Sequence, residues 1–448
     1  MTSDVFLVIG AGLTFAFIGA AIMKKIGFPQ IVGFMLAGVF LKYSGILGPA
    51  TFEPLTVVVS LALGLIGYNI GLELKLDTFR GRIKKLTLIV LFEATAAFWL
   101  VALLTFWLSG ELYLALIFGA LASATAPAAT ADVIWEYKSK GPVTESVMFV
   151  LALDDLVAVI LTNAALAFAL VVLAPATNTI LAVLINPLIM IVGSSIIGGI
   201  FGFVYVQVVN REDDRARLVE LELGLIILLV GLVHVLGLSD IFAAIVFGLV
   251  LNNFIDKKKA EVPQMLEIIM SPIIMLFFVI IGANVHLELF IGDQAFLVIS
   301  LAAVYLVGRT VGKLSGSYVG AAITNSEESV KKYLGSCLMC QAGVALGLSF
   351  VIEEEFIALG GAAADAGVLI LSVVGISTII LELVGPLVVK LGLKRAGELG
   401  EGATLFVPTK YEEESQDSIT PPSNSPPNED DERKVSSQTK PPADSEVD

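Results

Sequence analysis

Cysteine and histidine are nearly absent, with two of each among 448 residues. Zinc normally wants four ligands, so Cys337 and Cys340 of "CLMC" make no zinc framework. A thioredoxin-like dithiol belongs near a soluble βαβ pattern, which is missing. Neither His234 nor His286 has a convincing Ser or Asp partner in sequence for a hydrolase set. Charge is scarce too. Only 15% of residues are Asp, Glu, Lys or Arg, against about 25% in ordinary soluble domains. Hydrophobic residues make up 56% and the mean hydropathy is +0.90. That balance excludes a soluble catalytic enzyme and indicates an all-α polytopic membrane protein, for which the lipid bilayer is solvent. No cofactor or nucleic-acid partner is indicated.

The first apolar run, Val5 to Met23, lacks a basic n-region and an A-x-A-like cleavage site, and is expected to be a retained span. Residues 396–448 lack apolar periodicity and hold thirteen acidic and four basic residues, a net −9 of the chain's −15. That segment reads as a disordered acidic cytoplasmic tail, following a transmembrane domain over 1–395.

A membrane helix needs roughly 20 mostly apolar residues. By that ruler about 13 spans are expected, near 5–23, 28–41, 55–74, 86–108, 112–135, 143–173, 180–209, 218–236, 238–254, 266–288, 294–322, 333–352 and 366–391. Alternate loops hold the basic residues: Lys24/Lys25, Lys75 to Lys85, Lys138/Lys140, Arg211 to Arg217, Lys257 to Lys259, Lys331/Lys332 and Lys394/Arg395. The intervening loops hold only Lys42. This positive-inside alternation places the N-terminus outside, the C-terminus in the cytoplasm and an odd number of spans in the cell (inner) membrane.

Against that background a few charges stand out. The stretch "FVLALDDLVAVIL" sets Asp154 and Asp155 among eleven apolar residues, and "LVGRTVGKLSG" carries Arg309 and Lys313. Charges deep in a span are costly and mark functional positions. Neighbours on a helix point about 100° apart, so one aspartate can meet a partner while the other faces a wet cavity. Arg309 and Lys313 share one face, and either can supply that partner. Adjacent carboxylates also repel, so the pair titrates as a unit and holds protons or a small cation, not both fully. Such competition is the chemical core of cation/proton exchange. Glu93 and Glu382 lie inside spans and read as partly snorkelled or as second carboxyls on a proton route. Asp240 and Glu353 to Glu355 read as solvated mouth residues.

The fifth span contains "SATAPAATAD", with Ala126 and Pro127 at its middle. Proline frees backbone carbonyls, and unwound backbone in a membrane is tolerated where it is buried or lines a cavity. Those carbonyls, with the Thr125 and Thr130 hydroxyls, are expected to complete an oxygen shell for a hard cation. The twelfth span has Gln341 and Gly343 at mid-membrane in "CLMCQAGVALGLSF". Two interrupted helices of opposite direction are what an inverted-repeat transporter needs at its midplane site.

These residues resemble the sodium/proton antiporters of the cation:proton antiporter superfamily, in particular the double-aspartate bacterial and archaeal type. The resemblance rests on "PAAT" (127–130), "DD" (154–155), "FPQIVGFMLAGVFL" (28–41), "MLFFVIIGANV" (275–285) and the glycine-spaced "GR" and "GK" pairs of 308–316. It implies two crossed broken helices in a core bundle (roughly 86–173 and 294–391). A dimerisation bundle (roughly 1–74 and 218–288), a linker helix (180–209), a homodimer and elevator-like alternating access complete the expectation. It implies that Asp155 is the main carrier of Na⁺ or Li⁺ and of protons, with Asp154 paired to Arg309 or Lys313. Some members carry Asp directly after "PAAT"; here Ala131 stands there, with Asp132 one residue later. The rival reading is a K⁺/H⁺ antiporter of Kef-like type, and a more distant one a passive cation channel. The Kef-like branch often carries a Gly-rich nucleotide-binding domain, which the tail lacks. A channel has no need of a carboxylate pair that titrates against its ion.

Overall fold

The computed structural model describes residues 2–45, 55–74, 81–175, 180–255, 261–292 and 294–400. The acidic segment beyond 400 lies outside these residues, as do Lys75, Arg80 and Lys257 to Lys259 of the basic loops.

All regular structure among the described residues is helical. The first four helices are α1 (Thr2–Ile26), α2 (Gln30–Tyr43), α3 (Thr56–Glu73) and α4 (Ile83–Ser109). The fifth apolar run is split into α5 (Leu112–Ser123) and α6 (Pro127–Glu136). Then come α7 (Pro142–Leu173), α8 (Ile180–Val209), α9 (Arg215–Val235), α10 (Asp240–Phe254), α11 (Val262–Asn284) and α12 (Ala295–Ile323). The twelfth run is also split, into α13 (Glu328–Tyr333), a 3₁₀ turn (Gly335–Leu338) and α14 (Gly343–Leu359), before α15 (Gly361–Ala396). Each of the thirteen apolar runs thus appears as one helix or one interrupted pair. Nine helical stretches among the described residues are long and apolar enough to cross a membrane, and α2, α3 and α10 are shorter apolar helices. An all-helical answer follows from physics: inside lipid every backbone N–H and C=O must be satisfied within the segment.

The ends of the helices fall into two sets. Arg82, before α4, meets Glu145 at the start of α7 at 2.6 Å, and Arg215 meets Glu261 at 2.8 Å. All four belong to ends that the basic alternation puts on one side. Tyr43, at the other end of α2, bonds Glu288 beyond α11 instead. The start of α7 is also tied to the chain beyond α15. The Glu398 carboxylate accepts from the backbone N–H of Val143 (2.7 Å) and Thr144 (2.8 Å) and from the Thr144 hydroxyl (2.7 Å). It thereby satisfies donors that a helix start leaves open.

Packing is most extensive between α4 and α12. Gly308, Gly312, Gly316 and Gly320 recur every fourth residue on the α12 face turned to α4. A Cβ at Gly312 would stand 2.5 Å from the Ala97 Cα, and one at Gly316 2.6 Å from the Glu93 Cα. Small residues at this spacing let helix backbones approach where lipid gives no hydrophobic drive between helices. Large apolar side chains such as Phe6, Trp99, Trp107 and Phe296 are exposed, as a lipid-facing surface requires.

Candidate functional site

Pro127 opens α6, and the chain between α5 and α6 is extended, with Ala124 at φ −64°, ψ 144° and Ala126 at φ −72°, ψ 117°. The second interruption covers Met339 to Ala342, with Gly343 the first residue of α14. The two breaks lie against each other, joined by a hydrogen bond from the Ala126 N–H to the Cys340 carbonyl at 3.0 Å. Cys337 sits in the 3₁₀ turn and Cys340 in the non-helical link.

Several carbonyls at the crossing accept from buried side chains. Arg309 donates to the carbonyls of Ala124 (2.8 Å), Met339 (2.9 Å) and Cys340 (3.0 Å). Lys313 donates to the Ser123 carbonyl, and Gln341 to that of Leu121 at 2.8 Å. Of the carbonyls expected to complete an oxygen shell, those of Ser123, Ala124, Met339 and Cys340 already accept from protein donors. Protein donors occupy them, because a bare carbonyl in a dry site is costly and two buried cations stand within reach. Gln341 also bonds Tyr305.

α7 carries the aspartates into this crossing, and their neighbouring positions send them different ways. Asp154 Oδ2 accepts from Lys313 at 2.6 Å and from the Thr125 hydroxyl. Lys313 also stands 2.8 Å from Glu93. All three charged side chains are fully buried. Of the two basic residues that the sequence left open, Lys313 forms the ion pair, and Arg309 spends its fork on carbonyls. Glu93, read from sequence as either partly snorkelled or a second carboxyl on a proton route, is buried and paired, because the glycine face of α12 draws α4 close beside Lys313.

Asp155 makes no such contact. It is 1% exposed, and among the described residues no side chain hydrogen-bonds its carboxylate; the Thr125 backbone is the nearby hydrogen-bonding group. It borders a cavity of about 180 Å³, also lined by Asn69 and Glu73 of α3, Thr125, Ala126 and Pro127 of the first break, and Gly343 of α14. Asn69 and Glu73 were not foreseen: they come from a span more than 80 residues earlier in the sequence. The Asn69 side-chain oxygen is likewise without a hydrogen bond. Thr130 lies elsewhere, with its hydroxyl toward the Cys337 carbonyl at 3.4 Å and no share in the cavity wall. Asp132 is also absent from that wall. Glu353, expected to be solvated, is 4% exposed.

Around the crossing, four fully or almost fully buried carboxyls, Glu93, Asp154, Asp155 and Glu382, accompany two fully buried cations, Arg309 and Lys313. Unmatched buried charge is strongly unfavourable. The surplus of carboxyls is therefore a demand for protons or for a bound cation. The free carboxylate on a cavity is where exchange between the two is chemically available.

Comparison with known proteins agrees with this chemistry. The family model described as "Sodium/hydrogen exchanger, transmembrane" matches residues 13–391. Among solved structures, the fold is similar to that of the sodium proton antiporter MjNhaP1 from Methanocaldococcus jannaschii at pH 8. The TM-score is 0.72 at 17% identity, over 88% of this chain and all of that one. An electron-microscopy structure of the same antiporter gives a TM-score of 0.65 at 16% identity, over 88% of this chain and 97% of that one. Comparison with curated protein sequences gives no match.

Proposed function

The chain belongs to the sodium/hydrogen exchanger family, multi-pass membrane transporters that exchange a cation for protons, and from that premise we propose that Asp155 is where Na⁺ or Li⁺ and protons compete. Asp154, locked to Lys313 and Thr125, fixes the helix position and the local charge. The observation that carries this division is the contrast between the two neighbours. One carboxylate is bound by an ammonium at 2.6 Å, and the other borders a cavity with no side-chain partner among the described residues. Thr125, Asn69 and Glu73 stand nearby to offer further oxygens to the ion.

In this reading a proton on Asp155 makes the group neutral and expels the cation. Loss of the proton restores the charge and recruits one. Alternating access then converts competition into exchange: the core bundle carries the site past a dimerisation bundle in a homodimer, with the N-terminus outside and the C-terminus in the cytoplasm of the cell membrane. Inward proton flow drives sodium out.

The test is flux. Protein reconstituted in proteoliposomes is given a pH gradient, and lumenal pH is followed after addition of Na⁺, Li⁺ or K⁺. Cation-dependent proton movement is expected with Na⁺ and Li⁺, and its loss in Asp155→Asn. Unchanged flux in a folded Asp155→Asn would remove this residue from the mechanism.

A further inference from the structure

The cavity beside Asp155 takes no lining residue from α15. α15 nonetheless brings a carboxyl of its own to the crossing. Glu382 is fully buried. Gly385, three residues on, lies so close to the second break that a Cβ there would stand 2.7 Å from the Cys340 Sγ and 3.1 Å from its backbone. Both Glu382 oxygens lack a hydrogen-bond partner among the described residues. So does the hydroxyl of Thr378, four residues earlier on the same helical face.

The charged groups that act on Glu382 are Arg309 of α12 and Asp132 of α6, and the Cys340 thiol is a further titratable neighbour. Arg309 is held by three carbonyls and does not ion-pair with Glu382. Asp132 is exposed, on a helix that packs against α15. A buried carboxyl so placed is costly as an isolated anion, so it holds a proton, either permanently or in exchange with solvent. Three features favour exchange. Arg309 supplies a fixed positive charge near the ionised form. Thr378 offers an unused hydroxyl one turn away. Asp132 offers an exposed carboxylate on the neighbouring helix.

We propose that Glu382 is a second proton-exchanging carboxyl of this transporter, loaded by way of Asp132 and separate from the Asp155 cavity. Hydronium gives its proton to the Asp132 carboxylate and leaves water. Passage inward leaves Asp132 ionised and Glu382 neutral, and release reverses both steps. The transport side of this proposal rests on the exchange reading above.

The experiment has two arms on the full chain in lipid. In the first, pH-difference infrared spectra are taken of the parent and of Glu382→Gln. A buried carboxyl C=O band that fades at alkaline pH in the parent and is missing from the variant is expected. In the second, the pH profile of Na⁺-dependent proton flux is measured. Glu382→Gln is expected to shift its midpoint by about one pH unit, and Asp132→Asn to slow proton delivery while keeping the infrared band. If Glu382→Gln shows the parent's spectrum and profile, Glu382 is permanently neutral and the proposal falls. Should that variant not fold, Glu382→Asp decides. A titrating group moves the band and the profile, and a fixed neutral one leaves both in place. Parent vesicles with no cation-dependent proton flux overturn the exchange reading instead, and the infrared arm still decides Glu382.

Discussion

Lys313 has three N–H donors and three acceptors around it: Asp154, Glu93 and the Ser123 carbonyl. Removing the ammonium leaves two carboxylates facing each other in a dry site. Lys313→Met is therefore expected to destabilise the protein by about 3–5 kcal/mol, the usual effect of breaking a buried pair from one side. Thermal unfolding in detergent is the readout. Adding Asp154→Asn to that variant removes the stranded charge, and recovery of part of the loss is expected. A double-mutant cycle measures the coupling. A double-variant loss equal to the sum of the two single losses would mean that Asp154 and Lys313 do not interact. The pairing itself was only half legible in sequence. Four-residue spacing showed that Arg309 and Lys313 share a face, but not which of them would reach α7. The depth of Glu93 depends on a neighbouring helix, and periodicity says nothing about neighbours.

At the scale of helices, legibility followed the strength of the local signal. Thirteen apolar runs and their basic loops were readable because bilayer thickness fixes a length and alternation checks the count. The first break was readable because proline has no N–H to give. The second has no proline, and its extent from Met339 to Ala342 is set by tertiary partners, chiefly Arg309 and the Ala126 N–H. The α4–α12 contact makes a sharp prediction. Gly312→Leu and Gly316→Leu must push apart backbones that now meet at the Cβ position. Loss of folded yield, or a large drop in unfolding temperature by fluorescence size-exclusion, is expected for both. Gly224→Leu on α9, where an added Cβ would meet no other part of the chain within 4 Å, is expected to keep the parent's folded yield. The start of α7 makes a milder one. Glu398→Ala removes the carboxylate that caps Val143 and Thr144, at an expected cost of about 1 kcal/mol, again read by thermal unfolding.

Over the whole molecule, the two native thiols are inaccessible: Cys337 and Cys340 are both 0% exposed. A membrane-impermeant thiol reagent is therefore expected to leave the parent unlabelled, and single introduced cysteines to report sidedness. Ser44→Cys is expected to react from outside intact cells, and Lys25→Cys only after the membrane is opened. The reverse pattern would invert the topology read from the basic loops. The glycine ladder of α12 reaches further still, into the gene. Any single-nucleotide change in a glycine codon that alters the amino acid adds at least one heavy atom. At Gly312 and Gly316 every such atom begins where a backbone already stands. These codons have no tolerated missense neighbours, and a saturation library selected for transport should recover them only as synonymous variants.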